Sequence, residues 1–123
     1  MKYSQNDEQH HILEYFKNHA PRHGGRLLDV GAYDGITFSN THALMKEGWH
    51  GVFVEASPNV FAGCRKNLEG LNAELCLATV TVDPVTGLID FYDNDAATAT
   101  ISKSHMEQWK RETPFNRITV MPV

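Results

Sequence analysis

At 123 residues the chain is long enough for one domain and too short for two. Its 41% hydrophobic and 21% charged residues are those of a water-soluble globular protein. A balance of 11 Lys and Arg against 15 Asp and Glu gives a net charge of -4, without the basic stripe that a nucleic-acid backbone requires. No run is long and apolar enough to span a bilayer. The polar start Met1-Lys2-Tyr3-Ser4-Gln5-Asn6-Asp7 lacks the apolar core of a secretory signal. Cys64 and Cys76 lie outside any metal-type pair spacing and read as free thiols of a reducing cytoplasm.

Taken in order, residues 5–18 carry Ile12, Leu13, Tyr15 and Phe16 on one helical face, with Ser4 as N-cap and Pro21 with Gly24 and Gly25 closing the segment. Residues 26–30 form a short apolar strand that runs into Gly31. A helix is expected over 40–47, stopped by Gly48. Residues 51–55 form a second buried strand. Ser57-Pro58 starts the next helix, which places Val60, Phe61, Cys64 and Leu68 on one side and ends at Gly70. A third strand region covers 73–82. The cluster Asp83-Pro84-Val85-Thr86-Gly87 predicts a turn, and 88–92 a strand returning antiparallel to the third. Residues 94–100 read as a loop, Ser104-His105-Met106-Glu107 as a capping box opening a short helix, and 117–120 as a final strand. Strands alternating with helices predict an α/β fold with a parallel sheet.

The informative stretch is Leu27-Leu28-Asp29-Val30-Gly31-Ala32-Tyr33-Asp34-Gly35, where the first strand turns toward the next helix. Ligands of open α/β sheets bind beside such turns. A dinucleotide site asks for G-x-G-x-x-G facing a pyrophosphate. Here Asp29 takes the place of the first glycine and Asp34 adds a second carboxylate. At an effective dielectric of about 20, like charges 4 Å apart repel by roughly 4 kcal/mol. A cationic ligand without phosphate suits the loop better, and S-adenosylmethionine (SAM) carries an ammonium and a sulfonium. Glu55 ends the second strand at about the 20-residue spacing at which an acid commonly binds ribose hydroxyls. NAD also has such a ribose, so it is the pair Asp29 and Glu55 that favours SAM. The seven histidines show no ligand spacing, and no metal site is expected.

At these residues the sequence resembles the FkbM family of methyltransferases. The resemblance rests on Asp29-Val30-Gly31-Ala32-Tyr33-Asp34-Gly35, Ser39-Asn40-Thr41, and Gly48-Trp49-His50-Gly51-Val52-Phe53-Val54-Glu55-Ala56-Ser57-Pro58. Tyr3-Ser4-Gln5 is similar to that family's lead-in, and Phe61, Cys64 and Asn67 to its following helix. Beyond Glu69 the likeness loosens. The resemblance implies a Rossmann-like class I fold with a hairpin arm, SAM as methyl donor, and O-methylation of a sugar or other small-metabolite hydroxyl. It places Asp29, Gly31, Ala32 and Asp34 at the methionine end of SAM, Glu55 and Ala56 at the ribose, and Ala78 and Thr79 at the adenine edge. Ser4 and Gln5 would close over the cofactor. Ser39-Asn40-Thr41 fits the family pattern and equally fits a helix cap.

Residues 1–123 then read as a single SAM-binding domain. The family's sheet has seven strands, and here three core strands, a hairpin arm and a fourth core strand ending near Val123 are expected. That predicts a fragment, a split gene product or a chain completed by another copy. Direct methyl displacement needs alignment above all, and a hydroxyl acceptor gains from a base. His42, Asp95 and His105 are titratable but read first as surface residues, so no catalytic residue is assigned. Trp49 reads as core rather than as a stacking platform. A catalytically inactive SAM- or nucleotide-binding module is the competing reading, and an NAD-linked oxidoreductase is disfavoured by Asp29.

Overall fold

The computed structural model describes residues 1–82, 87–112 and 114–123. Helix α1 (Glu8–Asn18) leads into strand β1 (Arg26–Val30), helix α2 (His42–Lys46), strand β2 (His50–Glu55), helix α3 (Pro58–Asn67) and strand β3 (Ala73–Leu77). The three strands form one parallel sheet in the order β1-β2-β3, with Asp29 beside Phe53 and Glu55 beside Leu77. This is the mixed α/β architecture expected from strands alternating with helices.

β2 lies between two partners, and Gly51, Phe53 and Val54 on it are buried. Phe53, only 1% exposed, centres a core with Ala32, Leu44, Met45, Trp49, Cys64 and Leu68. Burying such a side chain contributes about 1.5–3 kcal/mol. Ile12, Leu13 and Phe16 of α1 close this core, and Trp49 meets the edge of Phe16 at 4.7 Å, so the tryptophan packs as expected. On β1, Leu27 faces the core while Leu28 and Val30 alternate onto the opposite face and remain 64% and 50% exposed.

α1 begins later than the expected residue 5. Ser4 does not act as the N-cap residue, because its hydroxyl donates to the Asn6 carbonyl within a preceding turn. It still accepts the Gln9 N–H at 3.3 Å, so it serves one free amide of the helix start from further upstream. α2 begins at His42 because Ser39 Oγ accepts the N–H groups of Thr41 and His42, at 3.2 and 3.0 Å. That satisfies the first turn and supports the capping reading of the triplet.

The second half corrects two expectations. Strand β4 (Ile89–Asp93) does not return along β3. It pairs antiparallel with β5 (Asn116–Val120), so the expected hairpin arm is replaced by a separate two-stranded sheet. β5 itself belongs to that second sheet, and the fourth parallel strand expected to end near Val123 is met only just beyond it, where Pro122 bridges Thr79 in parallel. Phe91 and Val120 face Ala56 in a second small core, flanked by Ile89, Ala99 and Ile118, and burial of these side chains selects the pairing. The chain does regain the β3 line further on: Thr79 N–H donates to the Met121 carbonyl and Val123 N–H to that of Thr79. Apart from Gly87, the expected turn at 83–87 lies outside the described residues.

Helix α4 (Lys103–Trp109) is capped by Ser102 and not by Ser104, because Ser102 Oγ accepts the His105 N–H at 3.3 Å. Ser102→Ala is expected to lower the stability of the protein by about 1 kcal/mol, read as a small fall in the urea unfolding midpoint. Ser104→Ala should change it less. Among the described residues no helix is long and apolar enough to cross a membrane.

Candidate functional site

The site begins where β1 ends. Gly31 takes φ 72, a left-handed conformation that favours glycine, and turns the chain across the tip of β2. The N–H groups of Gly31 and Ala32 both donate to the Val54 carbonyl, at 2.8 and 3.0 Å. Tyr33 N–H then donates to Glu55 Oε2 at 2.8 Å. Gly35 comes so close to α3 that a Cβ there would lie 3.1 Å from Cys64 Sγ and from Leu68.

The turn has a two-chambered cleft beside it. The smaller chamber, about 250 Å³, has Glu55, Ala56, Ala78 and Thr79 in its walls, with Phe91 and the 96–101 segment. The larger, about 400 Å³, is walled by Asp29, Ala32, Phe38, Ser39, Asn40 and Thr41. Val30, Gly31, Tyr33 and Ala97 line both, so the chambers adjoin along the turn. Of the residues expected to line the cofactor, Asp34 stands outside both linings, as do Ser4 and Gln5, which were expected to close over it.

Asp34 folds its own loop instead. Its carboxylate accepts the N–H groups of Ile36 and Thr37 and the Thr37 hydroxyl. Partial burial works against its charge, but these donors outweigh it and hold the carboxyl below its usual range. Ser4 and Gln5 likewise stay outside both chambers. Tyr3 packs against the His42 ring at 4.4 Å, on the N-terminal side of the core.

The other two acids differ in their bonding. Glu55 Oε1 accepts the N–H groups of Ala56 and Ser57, at 2.8 and 2.9 Å, while Oε2 takes Tyr33. One carboxylate therefore ties the glycine turn to the start of α3. Asp29 Oδ2 accepts the Thr41 hydroxyl at 2.5 Å. Burial raises its pKa above the ordinary 3.8, and the Thr41 bond opposes that rise. No Lys, Arg or His lines either chamber, so both are acidic.

His42 is not the surface residue expected. It is 5% exposed, with Nδ1 2.8 Å from the Gly35 carbonyl, and since a carbonyl can only accept, Nδ1 carries the proton. Burial lowers its pKa. His42, Asp95 and His105 line neither chamber. Asp95 accepts Asn59 Nδ2 at 3.3 Å from the start of α3. Buried beneath, Asp93 accepts the Ser57 hydroxyl at 2.9 Å. Cys64 and Cys76 are thiols, and burial first, then the charges of Glu55, Asp29 and Asp34, push the Cys64 pKa up to about 12. Among the described residues no three His, Cys, Asp or Glu side chains form a metal-binding group.

The sequence reading missed the far wall. Phe91, Ala96, Ala97, Ala99, Thr100 and Ile101 line the smaller chamber. The loop is held by paired N–H···O=C bonds between Tyr92 and Thr100 and by Asn94 Nδ2 on Thr98. The run of small residues Ala96-Ala97-Thr98-Ala99-Thr100 was its available signal, because small side chains leave room for a ligand beside the backbone.

Neither a curated protein nor a solved structure matches the chain. The model of the methyltransferase FkbM domain matches residues 29–122. Its match begins at Asp29, leaving the Tyr3-Ser4-Gln5 lead-in outside, and continues through the far wall and β5, where the resemblance read from the sequence was loose. It takes in every lining residue of both chambers but Leu28. Covering most of the chain and both acids of the cleft, this match makes the protein a member of the FkbM methyltransferase domain family.

Proposed function

We propose that this methyltransferase takes its methyl group from SAM and transfers it to a hydroxyl of a sugar or other small metabolite. The observation that carries the reading is the cleft itself: two adjoining chambers with a carboxylate in each and no cationic side chain in either wall. Such walls attract a cationic ligand and repel a pyrophosphate.

Asp29 would take the ammonium end in the larger chamber. Ala78, Val54, Phe91 and the alanines of the far wall would take the adenine, and Glu55 the ribose. A carboxylate has about four acceptor sites, and three backbone N–H groups already use Glu55. It can accept from one ribose hydroxyl without giving up the Tyr33 bond. When bound, SAM would supply an electrophilic methyl on sulfur, and the chain's own part is to hold and align. The acceptor class is the one that the sequence resemblance implies, and a Rossmann-like assignment is supported by the parallel order β1-β2-β3 with the cleft at the strand tips. A cytoplasmic setting is supported by the two thiols.

A binding module without turnover is the second reading, favoured by the position of His42, Asp95 and His105 outside the chamber linings. Isothermal titration with SAM, S-adenosylhomocysteine and NAD tests both. Binding of the first two without NAD is the expected result. NAD preference would overturn the proposal, and SAM binding with no methyl transfer across a panel of hydroxyl acceptors would establish the second reading.

A further inference from the structure

We propose that Thr41 is a positioning residue for Asp29, its hydroxyl occupying one carboxylate oxygen so that the other meets the ligand's cationic end. The inference rests on the SAM reading above. Thr41 and Asp29 both line the larger chamber, 12 positions apart in sequence, and are joined by the 2.5 Å bond from Thr41 Oγ1 to Asp29 Oδ2. Asp29 Oδ1 accepts no hydrogen bond from the described residues, and none of their buried side-chain N or O atoms lacks a partner. Oδ1 is therefore not buried, on a residue that lines the chamber.

The direction of the bonds fixes the role of each hydroxyl. Thr41 has one proton, and a carboxylate can only accept it. The 3.3 Å approach between Ser39 Oγ and Thr41 Oγ1 must then be a donation from Ser39. Ser39, 6% exposed, meanwhile accepts two N–H groups at the start of α2. The order Ser39 to Thr41 to Asp29 anchors the carboxylate to α2 and ends on its negative charge. Within the triplet, the capping read from sequence falls to Ser39, and Thr41 is left to act through Asp29.

The titratable groups on the surrounding elements are Tyr33 and Asp34 in the loop, Glu55 on β2, His42 on α2 and Cys64 on α3. All remain in place when only the Thr41 hydroxyl changes. Removing that hydroxyl removes a bond to the charged form of Asp29, so its pKa rises further. SAM affinity, which needs the ionised carboxylate, should then be lost at a higher pH as the solution is acidified.

The test is SAM titration across pH for the wild type, Thr41→Val and Thr41→Ser, with Asp29 carboxyl titration by NMR in the ligand-free proteins. Thr41→Val should weaken SAM by about tenfold, the usual effect of losing a hydrogen bond to a charged group. Its Asp29 titration should move up in pH, and Thr41→Ser should restore both. If Val behaves like the wild type in affinity and titration, or Ser fails to rescue, the positioning role is overturned. If the wild type itself does not bind SAM, it is the cofactor reading that fails, and the ligand-free NMR titration still decides whether Thr41 governs Asp29. Thr41→Ala serves as the hydroxyl-free variant if Val disturbs the fold.

Discussion

Glu55→Ala is expected to lower stability by about 2–4 kcal/mol, since three backbone donors lose their acceptor at about 1 kcal/mol or more each, and to weaken SAM binding by about tenfold or more. The sequence alone reads Glu55 only as a ligand-directed acid. The bonding of Glu55 to Tyr33, Ala56 and Ser57 makes it structural as well. Both effects belong to one side chain, so they must be measured separately, with urea unfolding of the ligand-free protein and calorimetric titration at a temperature where the variant is folded. Glu55→Gln sharpens the test. Its amide can keep one carbonyl oxygen for Ala56 and Ser57, but then presents an NH2 to the Tyr33 N–H, donor against donor. Gln is therefore expected to fall between the wild type and Ala in stability. A Glu55→Ala protein with wild-type stability would show that these three bonds contribute nothing net. An unchanged SAM dissociation constant would remove Glu55 from the ligand site.

Asp29→Asn is expected to weaken SAM by about 30- to 150-fold, because truncating one member of a desolvated charge pair costs about 2–3 kcal/mol. The same change should leave the ligand-free protein as stable at neutral pH as the wild type or more so. Burial raises the folded-state pKa of Asp29 above 3.8. A carboxyl shifted in that direction favours the folded state most in its protonated form, and that contribution is lost as pH rises through the raised value. At pH 7 the ionised Asp29 thus works against folding, and Asn removes the charge while keeping an oxygen for the Thr41 hydroxyl. Wild-type SAM affinity should fall as pH drops through the Asp29 titration, and the variant should lack that acid limb. Thermal unfolding and SAM titration, each followed as pH is lowered from neutral through the Asp29 titration, read both outcomes. Lower stability of Asp29→Asn at pH 7 would contradict the sign of the shift, and undiminished SAM binding would contradict the role given to the carboxylate.

What was legible in the sequence was local. The β1 and β2 segments are short apolar runs ending at Gly31 and Glu55, and Ser57-Pro58 marks the start of α3, so these elements and the acids at their tips could be placed from residue type alone. Strand partnership was not local. The run 88–92 reads as a strand whichever neighbour it takes, and Phe91 finds its cover on Val120 and Ala56, far along the chain. The same limit applies to the loop acids. Asp29, Asp34 and Glu55 look alike in sequence, yet nearby N–H groups turn Asp34 into a loop fastener and tie Glu55 to the turn and to the start of α3, because donor directions depend on the folded backbone. His42 was misjudged for a related reason: the Gly35 carbonyl that satisfies it becomes available only when the turn closes.

The alanines of the 94–101 segment have a consequence for how a guest is received. Alanine has no side-chain rotamers to freeze, whereas a longer side chain immobilised against a ligand forfeits up to about 2 kcal/mol. Ala96, Ala97 and Ala99 can therefore settle onto an occupant with only main-chain freedom at stake. The main chain of that wall is in turn pinned at its ends by the paired bonds of Tyr92 and Thr100, so little of its freedom is left to lose.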